Sequence, residues 1–160
     1  MLVFIDTEFS DFINTELISI GFVSQCGKEF YAELPVNPKE CSDFVREAVL
    51  PQLRKDSSAQ CAREQLKPRL LEWLHQFKSD DQPTVICYDY STDWTLFCDA
   101  LDSEVPSWIQ GANVSGRYIN ELREEIFWRD NPELKRHHAL NDARALKASF
   151  VLDRWLNSKK

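Results

Sequence analysis

Three short segments of the chain carry residues that could hold metal ions and move a proton. Asp6 and Glu8 lie near the N-terminus, Asp93 near the middle, and His137 and Asp142 near the C-terminus. Carboxylates that a fold brings together repel one another unless cations lie between them. Mg²⁺ and Mn²⁺ prefer such oxygen ligands, and a histidine beside them can act as a base. The pattern therefore indicates a metal-assisted hydrolase.

Each segment also has an ordinary structural explanation when it is taken alone. The Asp-x-Glu pair could be the solvated end of a strand, and Asp93 could be an N-cap or first-turn acid of a helix. Asp89, in the same loop, is also a candidate, but it is more typical of a residue that hydrogen-bonds to nearby backbone. The C-terminal segment favours the chemical interpretation, because it places His137 just ahead of a helix with Asp142 in its first turns.

Five apolar or β-rich runs predict the strands that would position these residues. The predicted strands are 2–5, 17–23, 29–34, 84–88 and 108–110. The first run is wholly apolar and is closed by Asp6, and side chains two apart on a strand leave the same face. Asp6 and Glu8 can then approach one metal pair. The turn at Gly27 predicts a hairpin between the second and third strands.

Helical spacing of apolar residues predicts five helices around this sheet. They cover residues 42–50, 59–77, 93–101, 117–128 and 140–156. Pro68 lies inside the second of them, so we expect a kink or a break there. The order β-β-β-α-α-β-α-β-α-α predicts an α/β fold in which helices pack on a mixed central sheet.

Length and composition predict one compact domain that spans residues 1–160. The chain is 43% hydrophobic and 12% aromatic, which is typical of a folded globular protein. No apolar run approaches the roughly 18 residues of a membrane span, and the N-terminus lacks the features of a signal peptide. The five widely spaced cysteines argue against a disulfide framework or a structural zinc site. We therefore expect a cytoplasmic protein without a membrane partner.

The net charge argues against strong, nonspecific binding to long nucleic acid, which requires a broad basic surface. The formal net charge is −7, and two divalent cations would add four positive charges and leave about −3. All of that change would fall within the site. Such a protein is better suited to short or single-stranded ends than to duplex.

The order and spacing of the three segments resemble a known family of enzymes. Asp6-Thr7-Glu8-Phe9, then Asp93, then His137-x-Ala-Leu-x-Asp142-Ala143 is similar to the DEDDh group of 3′–5′ exonucleases. The segment Glu-Leu-Ile-Ser-Ile-Gly at 16–21 makes the chain most similar to small bacterial and phage exoribonucleases of the family described from mycobacteria. The resemblance implies a ribonuclease H-like fold, with a mixed central sheet of about five strands flanked by helices.

The resemblance also implies roles for individual residues. It places the metal ligands on Asp6, Glu8, Asp93 and Asp142 and the general base on His137. The Thr7 backbone and the Phe9 ring would hold the terminal nucleotide, and His138 falls at a position that the family leaves variable. Many relatives have an asparagine and an aromatic residue where this chain has Asp89 and Thr92.

The activity implied by the resemblance is hydrolysis of single-stranded or short RNA from its 3′ end to nucleoside 5′-monophosphates. Two divalent cations, Mg²⁺ or Mn²⁺, would act with His137, one in forming the attacking hydroxide and one in stabilising the leaving 3′ oxygen. Three alternatives stay open: a hydrolase of dinucleotides or very short oligomers, an exonuclease on single-stranded DNA, and a scaffold that binds nucleic acid or protein without cleaving. The abundant aromatic residues also leave open an apolar patch for a homodimer.

Overall fold

Five strands form one mixed sheet in the structure, a computed structural model that describes residues 1–158. The strands are β1 (Leu2–Phe9), β2 (Leu17–Ser24), β3 (Glu29–Glu33), β4 (Thr84–Tyr88) and β5 (Ile109–Asn113). Their order across the sheet is β3-β2-β1-β4-β5. β1, β2 and β3 are antiparallel neighbours, whereas β4 lies parallel to both β1 and β5. The predicted hairpin between β2 and β3 is confirmed.

Helices connect and flank these strands. They are α1 (Arg63–His75), α2 (Ser91–Ala100), α3 (Glu121–Asp130), α4 (Ala139–Ser149) and α5 (Leu152–Asn157). Shorter turns of 3₁₀ helix cover Pro38–Glu40, Leu50–Gln52 and Gly116–Tyr118, and a π-helical turn covers Val45–Val49. The helix predicted over 42–50 is therefore present as this π-helical turn with its neighbours.

Alternate residues of β1 face opposite sides of the sheet, and helices cover both sides. Val3 and Ile5 belong to an apolar cluster with the buried leucines of α1 and with Phe97 of α2. Leu2 and Phe4 belong to a second cluster with residues of α4 and α5. This arrangement confirms the predicted α/β fold with a mixed five-stranded sheet, and it is consistent with the ribonuclease H-like arrangement.

The first strand extends further than its parallel neighbour. β1 pairs with β2 along almost its whole length, but with β4 only over residues 2–4. The strand predicted over residues 2–5 continues to Phe9, so Asp6 and Glu8 lie in its last part. On the β4 side this part of β1 has no strand partner, and the open edge lies at the carboxyl end of β4, where parallel strands commonly leave room for a ligand.

The single helix predicted over residues 140–156 is wrong. The structure has two helices, α4 and α5, separated by Phe150 and Val151, and the Phe150 backbone is extended (φ −67°, ψ 136°). The segment before α3 forms hydrogen bonds with the backbone groups at this break. The Asn120 N–H donates to the Ser149 carbonyl at 2.9 Å, and the Val151 N–H donates to the Tyr118 carbonyl at 2.8 Å.

The helices around Pro68 and before α3 also differ from expectation. α1 runs through Pro68 without a break, in a helix that starts at Arg63 rather than at residue 59. Pro68 has no N–H to donate to the carbonyl four residues earlier. Because Pro68 lies in the second turn, that unpaired carbonyl belongs to the first turn of the helix. α3 starts at Glu121, because residues 116–118 form a separate 3₁₀ turn.

Two further observations concern the surroundings of the protein. Within residues 1–158, none of the helices combines the length and the hydrophobicity that crossing a membrane requires. All five cysteines are free thiols.

Candidate metal centre

The centre is built on the end of β1, where α4 lies directly against the sheet. Asp6 pairs with Gly21 of β2, and a side chain at Gly21 would have its Cβ 2.4 Å from the Leu140 nitrogen and 2.5 Å from the Ala139 carbonyl oxygen. Only glycine allows the first turn of α4 to approach this closely. The contact brings Asp142 to the face of β1 that carries Asp6.

The start of α4 fixes the Asp142 carboxylate. His138 is the residue before α4, and its backbone N–H donates to Asp142 Oδ2 at 3.0 Å. The His138 carbonyl accepts from the Asn141 and Asp142 N–H groups in turn. The His138 ring stacks on Tyr31 of β3, with ring centroids 4.5 Å apart. His138 therefore positions the helix start and does not line the cavity described below.

The fourth predicted ligand reaches the strand from the opposite side of the sheet. Asp93 lies in the first turn of α2 and is almost fully buried. Its Oδ1 accepts from the Thr7 N–H at 3.1 Å and from the Thr7 hydroxyl at 2.6 Å. Its buried Oδ2 has no hydrogen-bond partner among the described residues. Asp93 thus accepts a backbone hydrogen bond from β1 on the side where β1 has no neighbouring strand. Its other carboxylate oxygen has no partner among the described residues.

The structure brings all four predicted ligands together and adds a fifth acid. Asp6, Glu8 and Asp142 each offer a carboxylate oxygen within 4.8 Å of the others, and so do Asp6, Asp89 and Asp93. Asp6 belongs to both groups and lies between them. Asp89 follows β4 directly, so the end of that strand places it beside β1. Asp89 is thus the second candidate in its loop, for which the sequence favoured a role in shaping the loop.

Burial and mutual repulsion raise the proton affinities of these carboxylates. Burial raises the pKa of Asp6 well above its ordinary value, and the Asp93 and Asp142 carboxylates raise it further. Burial, with repulsion from Asp142 and Asp93, raises the pKa of Glu8 to about 8. Burial raises the pKa of Asp93 to about 7 and that of Asp142 to about 6, although hydrogen bonds to each carboxylate act in the opposite direction. Burial also raises the pKa of Asp89.

A cavity of about 270 Å³ opens over these acids, and His137 lies on its wall. His137 has a left-handed backbone (φ 61°), which histidine adopts more readily than most residues. Gln52 holds this conformation, because its Nε2 donates to the Arg136 carbonyl at 2.6 Å and to the His137 carbonyl at 2.9 Å. Burial lowers the pKa of the His137 imidazole and the Arg136 charge lowers it further, so the ring is neutral and able to accept a proton at pH 7.

The two residues predicted to hold a terminal nucleotide have different surroundings. Thr7 lines the cavity, but its N–H and hydroxyl both donate to Asp93. The Phe9 ring lies at the end of β1 and packs edge-to-face on the exposed Phe12 ring, with centroids 5.2 Å apart. Phe9 is not among the residues that line the cavity, whereas Arg136 and Glu124 are. Neither Arg136 nor Glu124 is among the site residues predicted from the sequence.

Comparison with known proteins relates the chain to a family of exoribonucleases. Residues 1–152 match the family described as the Rv2179c-like 3′–5′ exoribonuclease domain. Two relatives from strains of Mycobacterium tuberculosis are named 3′–5′ exoribonuclease Rv2179c and 3′–5′ exoribonuclease MT2234.1. Each is 32% identical over 168 aligned residues, which cover 95% of this chain and 92% of the relative. The chain therefore belongs to the Rv2179c-like 3′–5′ exoribonuclease domain family.

Proposed function

We propose that this protein is a 3′–5′ exoribonuclease that hydrolyses single-stranded or short RNA from the 3′ end to nucleoside 5′-monophosphates. The observation that carries the proposal is the group of carboxylates around Asp6, with His137 on the wall of the same cavity. Family membership supports it, as do the printed names of the two relatives.

The residues fit two divalent cations, Mg²⁺ or Mn²⁺. Asp6, Glu8 and Asp142 would hold one, and Asp6 and Asp93 the other, with Asp89 as an additional ligand. Two features support the fit: the buried Oδ2 of Asp93, which has no hydrogen-bond partner among the described residues, and the raised pKa values that burial and mutual repulsion give these acids. Bound cations of this kind activate water and neutralise charge on the phosphate and the leaving oxygen.

The protein's own groups have separate parts in the proposed reaction. His137, neutral at pH 7, accepts the proton of the attacking water. Thr7 orients Asp93 through its N–H and hydroxyl, and it lines the space for the terminal nucleotide. Phe9 would stack on a base at the edge of that space. The proposal includes one domain over residues 1–160, and the five free cysteines support a reducing compartment such as the cytoplasm.

Replacement of His137 tests the proposal. We expect His137→Ala and His137→Asn to lower Mn²⁺-dependent release of nucleoside monophosphates from RNA by roughly 10²–10⁴-fold, as is typical of a general base. Asparagine tolerates the left-handed backbone and so separates loss of the base from backbone strain. Circular dichroism would show whether each variant is folded.

The matched control is His75→Ala, which removes an exposed histidine at the end of α1, outside the cavity. Its activity should equal that of the wild type. Wild-type rates in folded His137→Asn would rule out the assigned base. A wild-type protein that binds Mn²⁺ and RNA but releases no monophosphate would instead support the scaffold alternative.

A further inference from the structure

One arginine lies among the acids that line the cavity. Within residues 1–158, its walls carry acids from β1, α3, α4 and the loop after β4, and Arg136 is the only lysine or arginine among the lining residues. A phosphate that enters such a cavity meets strong repulsion from the carboxylates. The one guanidinium on the wall is therefore the protein group best suited to attract it.

The backbone of Arg136 is fixed beside the proposed base. Gln52 Nε2 donates to the Arg136 and His137 carbonyls, at 2.6 and 2.9 Å. Asn141 Nδ2 donates to the Lys135 carbonyl at 3.0 Å, so the residue before Arg136 is tied to α4. These contacts fix the backbone of Arg136 next to His137, and both residues line the cavity.

The guanidinium itself is held weakly and keeps its donors available. It lies over the Trp128 ring, with its central carbon 4.9 Å from the ring centroid, and Nη1 is 3.6 Å from Glu124 Oε1. That separation is an ion pair and too long for a hydrogen bond. The Arg136 side chain is 57% exposed. Among residues 1–158 no acceptor takes a hydrogen bond from this guanidinium. The group thus rests on an aromatic ring beside the cavity, and its N–H donors are available to a ligand.

We propose that Arg136 binds the phosphate at the cleavage position, the group that leaves as the 5′-phosphate of the released nucleotide. This inference rests on the proposed function. Glu124 pairs with the guanidinium when no phosphate is bound, and a bound phosphate displaces Glu124. A guanidinium offers two parallel N–H donors to phosphate oxygens, which a lysine ammonium does not. Arg136 would then touch the substrate directly and select for a nucleotide over a nucleoside.

Binding of a ligand pair tests this role without relying on turnover. Adenosine 5′-monophosphate and adenosine differ only in the phosphate, and calorimetry in the presence of Mn²⁺ gives both affinities. Arg136→Met keeps a long side chain over Trp128 but removes the charge. We expect it to weaken binding of the monophosphate by about tenfold to a hundredfold, the range of hydrogen bonds to charged groups, and to leave adenosine unchanged. Arg136→Lys should give an intermediate loss.

Two further variants separate this role from a structural one. Arg129→Met removes an exposed arginine of α3 that pairs with Asp130, and it should bind both ligands as the wild type does. Glu124→Gln removes the competing carboxylate and should bind the monophosphate more tightly. Wild-type affinity for the monophosphate in Arg136→Met would overturn the inference, as would an equal loss for both ligands.

The inference and the proposed function can fail separately. If the wild type prefers the monophosphate through Arg136 but cleaves no RNA, the proposed activity fails and the phosphate site stands. If the wild type cleaves RNA and Arg136→Met keeps normal KM, kcat and monophosphate binding, the activity stands and the phosphate site fails. Mn²⁺ affinity measured on each variant shows whether the carboxylates are still in place.

Discussion

Single carboxylates in this protein are placed where ionisation is unfavourable unless a cation is present. Asp6 lies between two groups of acids, and the buried Asp93 keeps an unpartnered oxygen. Their positions suit metal ligands, since the packing of the core does not require so many acids in one place. The same positions predict how stability depends on pH in the metal-free protein.

Metal-free protein should lose stability as the pH rises from 5 to 8. The pKa is about 8 for Glu8, about 7 for Asp93 and about 6 for Asp142, each above the value near 4 of an unfolded chain. The folded state therefore holds protons that the unfolded state has already released, and ionising these groups favours unfolding. We expect a loss of at least about 2 kcal/mol, which lowers Tm by about 4–8 °C in a chain of this size. Thermal denaturation with a chelator present measures it.

Two comparisons make this pH dependence specific to the site. Saturating Mn²⁺ should remove most of the loss, because the cation binds the ionised carboxylates. Glu8→Gln should raise metal-free stability at pH 8 and flatten the profile, whereas Asp80→Asn, at an exposed loop position, should change neither. Metal-free stability that is constant or rises over this range would contradict the raised pKa values.

The site forms where β1 extends beyond its parallel neighbour β4. The sequence predicts this arrangement only in part. The apolar runs located all five strands, and the spacing of His137 and Asp142 placed both at the start of a helix as the structure has them. The apolar run of β1 ends at Asp6, yet β1 continues to Phe9, because β2 pairs with it there. A polar strand end resembles a loop when the partner strand is unknown.

Contacts between distant segments explain the other differences. The break between α4 and α5 depends on hydrogen bonds with the segment that precedes α3, thirty residues earlier in the chain. Asp89 joins the acids because β4 ends beside β1, which no local pattern shows. The one available clue was that Asp89 replaces an asparagine found in many similar enzymes.

Gly21 allows α4 to contact the sheet, and Gly21→Ala should therefore damage the site through a whole element. The added Cβ would lie 2.4–2.5 Å from backbone atoms of Ala139 and Leu140, so α4 must move. We expect a loss of about 1–3 kcal/mol in the free energy of unfolding, together with at least tenfold weaker Mn²⁺ binding, since Asp142 moves with the helix. Chemical denaturation and calorimetry measure the two effects.

Gly27→Ala is the matched control for this prediction. Gly27 lies in the turn between β2 and β3 with a left-handed backbone (φ 88°), so an added Cβ strains the backbone, but it would meet no other atom within 4 Å. We expect it to lose stability and to keep Mn²⁺ affinity. Equal metal affinity in the two variants, or unchanged stability in Gly21→Ala, would show that α4 does not depend on this close contact.

The molecule as a whole is acidic, and this limits how it can hold RNA. The net charge is −7, and the cavity of about 270 Å³ is lined by five carboxylates and one arginine among residues 1–158. Attraction to a long phosphate backbone is therefore weak, so the proposed enzyme must recognise chiefly the terminal nucleotide. Binding that depends on the terminus should respond little to salt or to RNA length.

We accordingly expect KM for single-stranded RNA to rise by less than about tenfold between 50 and 200 mM salt at fixed Mn²⁺. A protein with 6–10 phosphate contacts would lose roughly 10³–10⁵-fold in affinity over the same range. For the same reason, kcat/KM should differ by less than about tenfold between RNA of two and of twenty residues. Steady-state kinetics on end-labelled RNA of each length measures both quantities. A preference for the dimer of a hundredfold or more would favour a hydrolase of very short oligomers. A strong preference for the longer RNA would show an extended binding surface, which the acidic charge argues against.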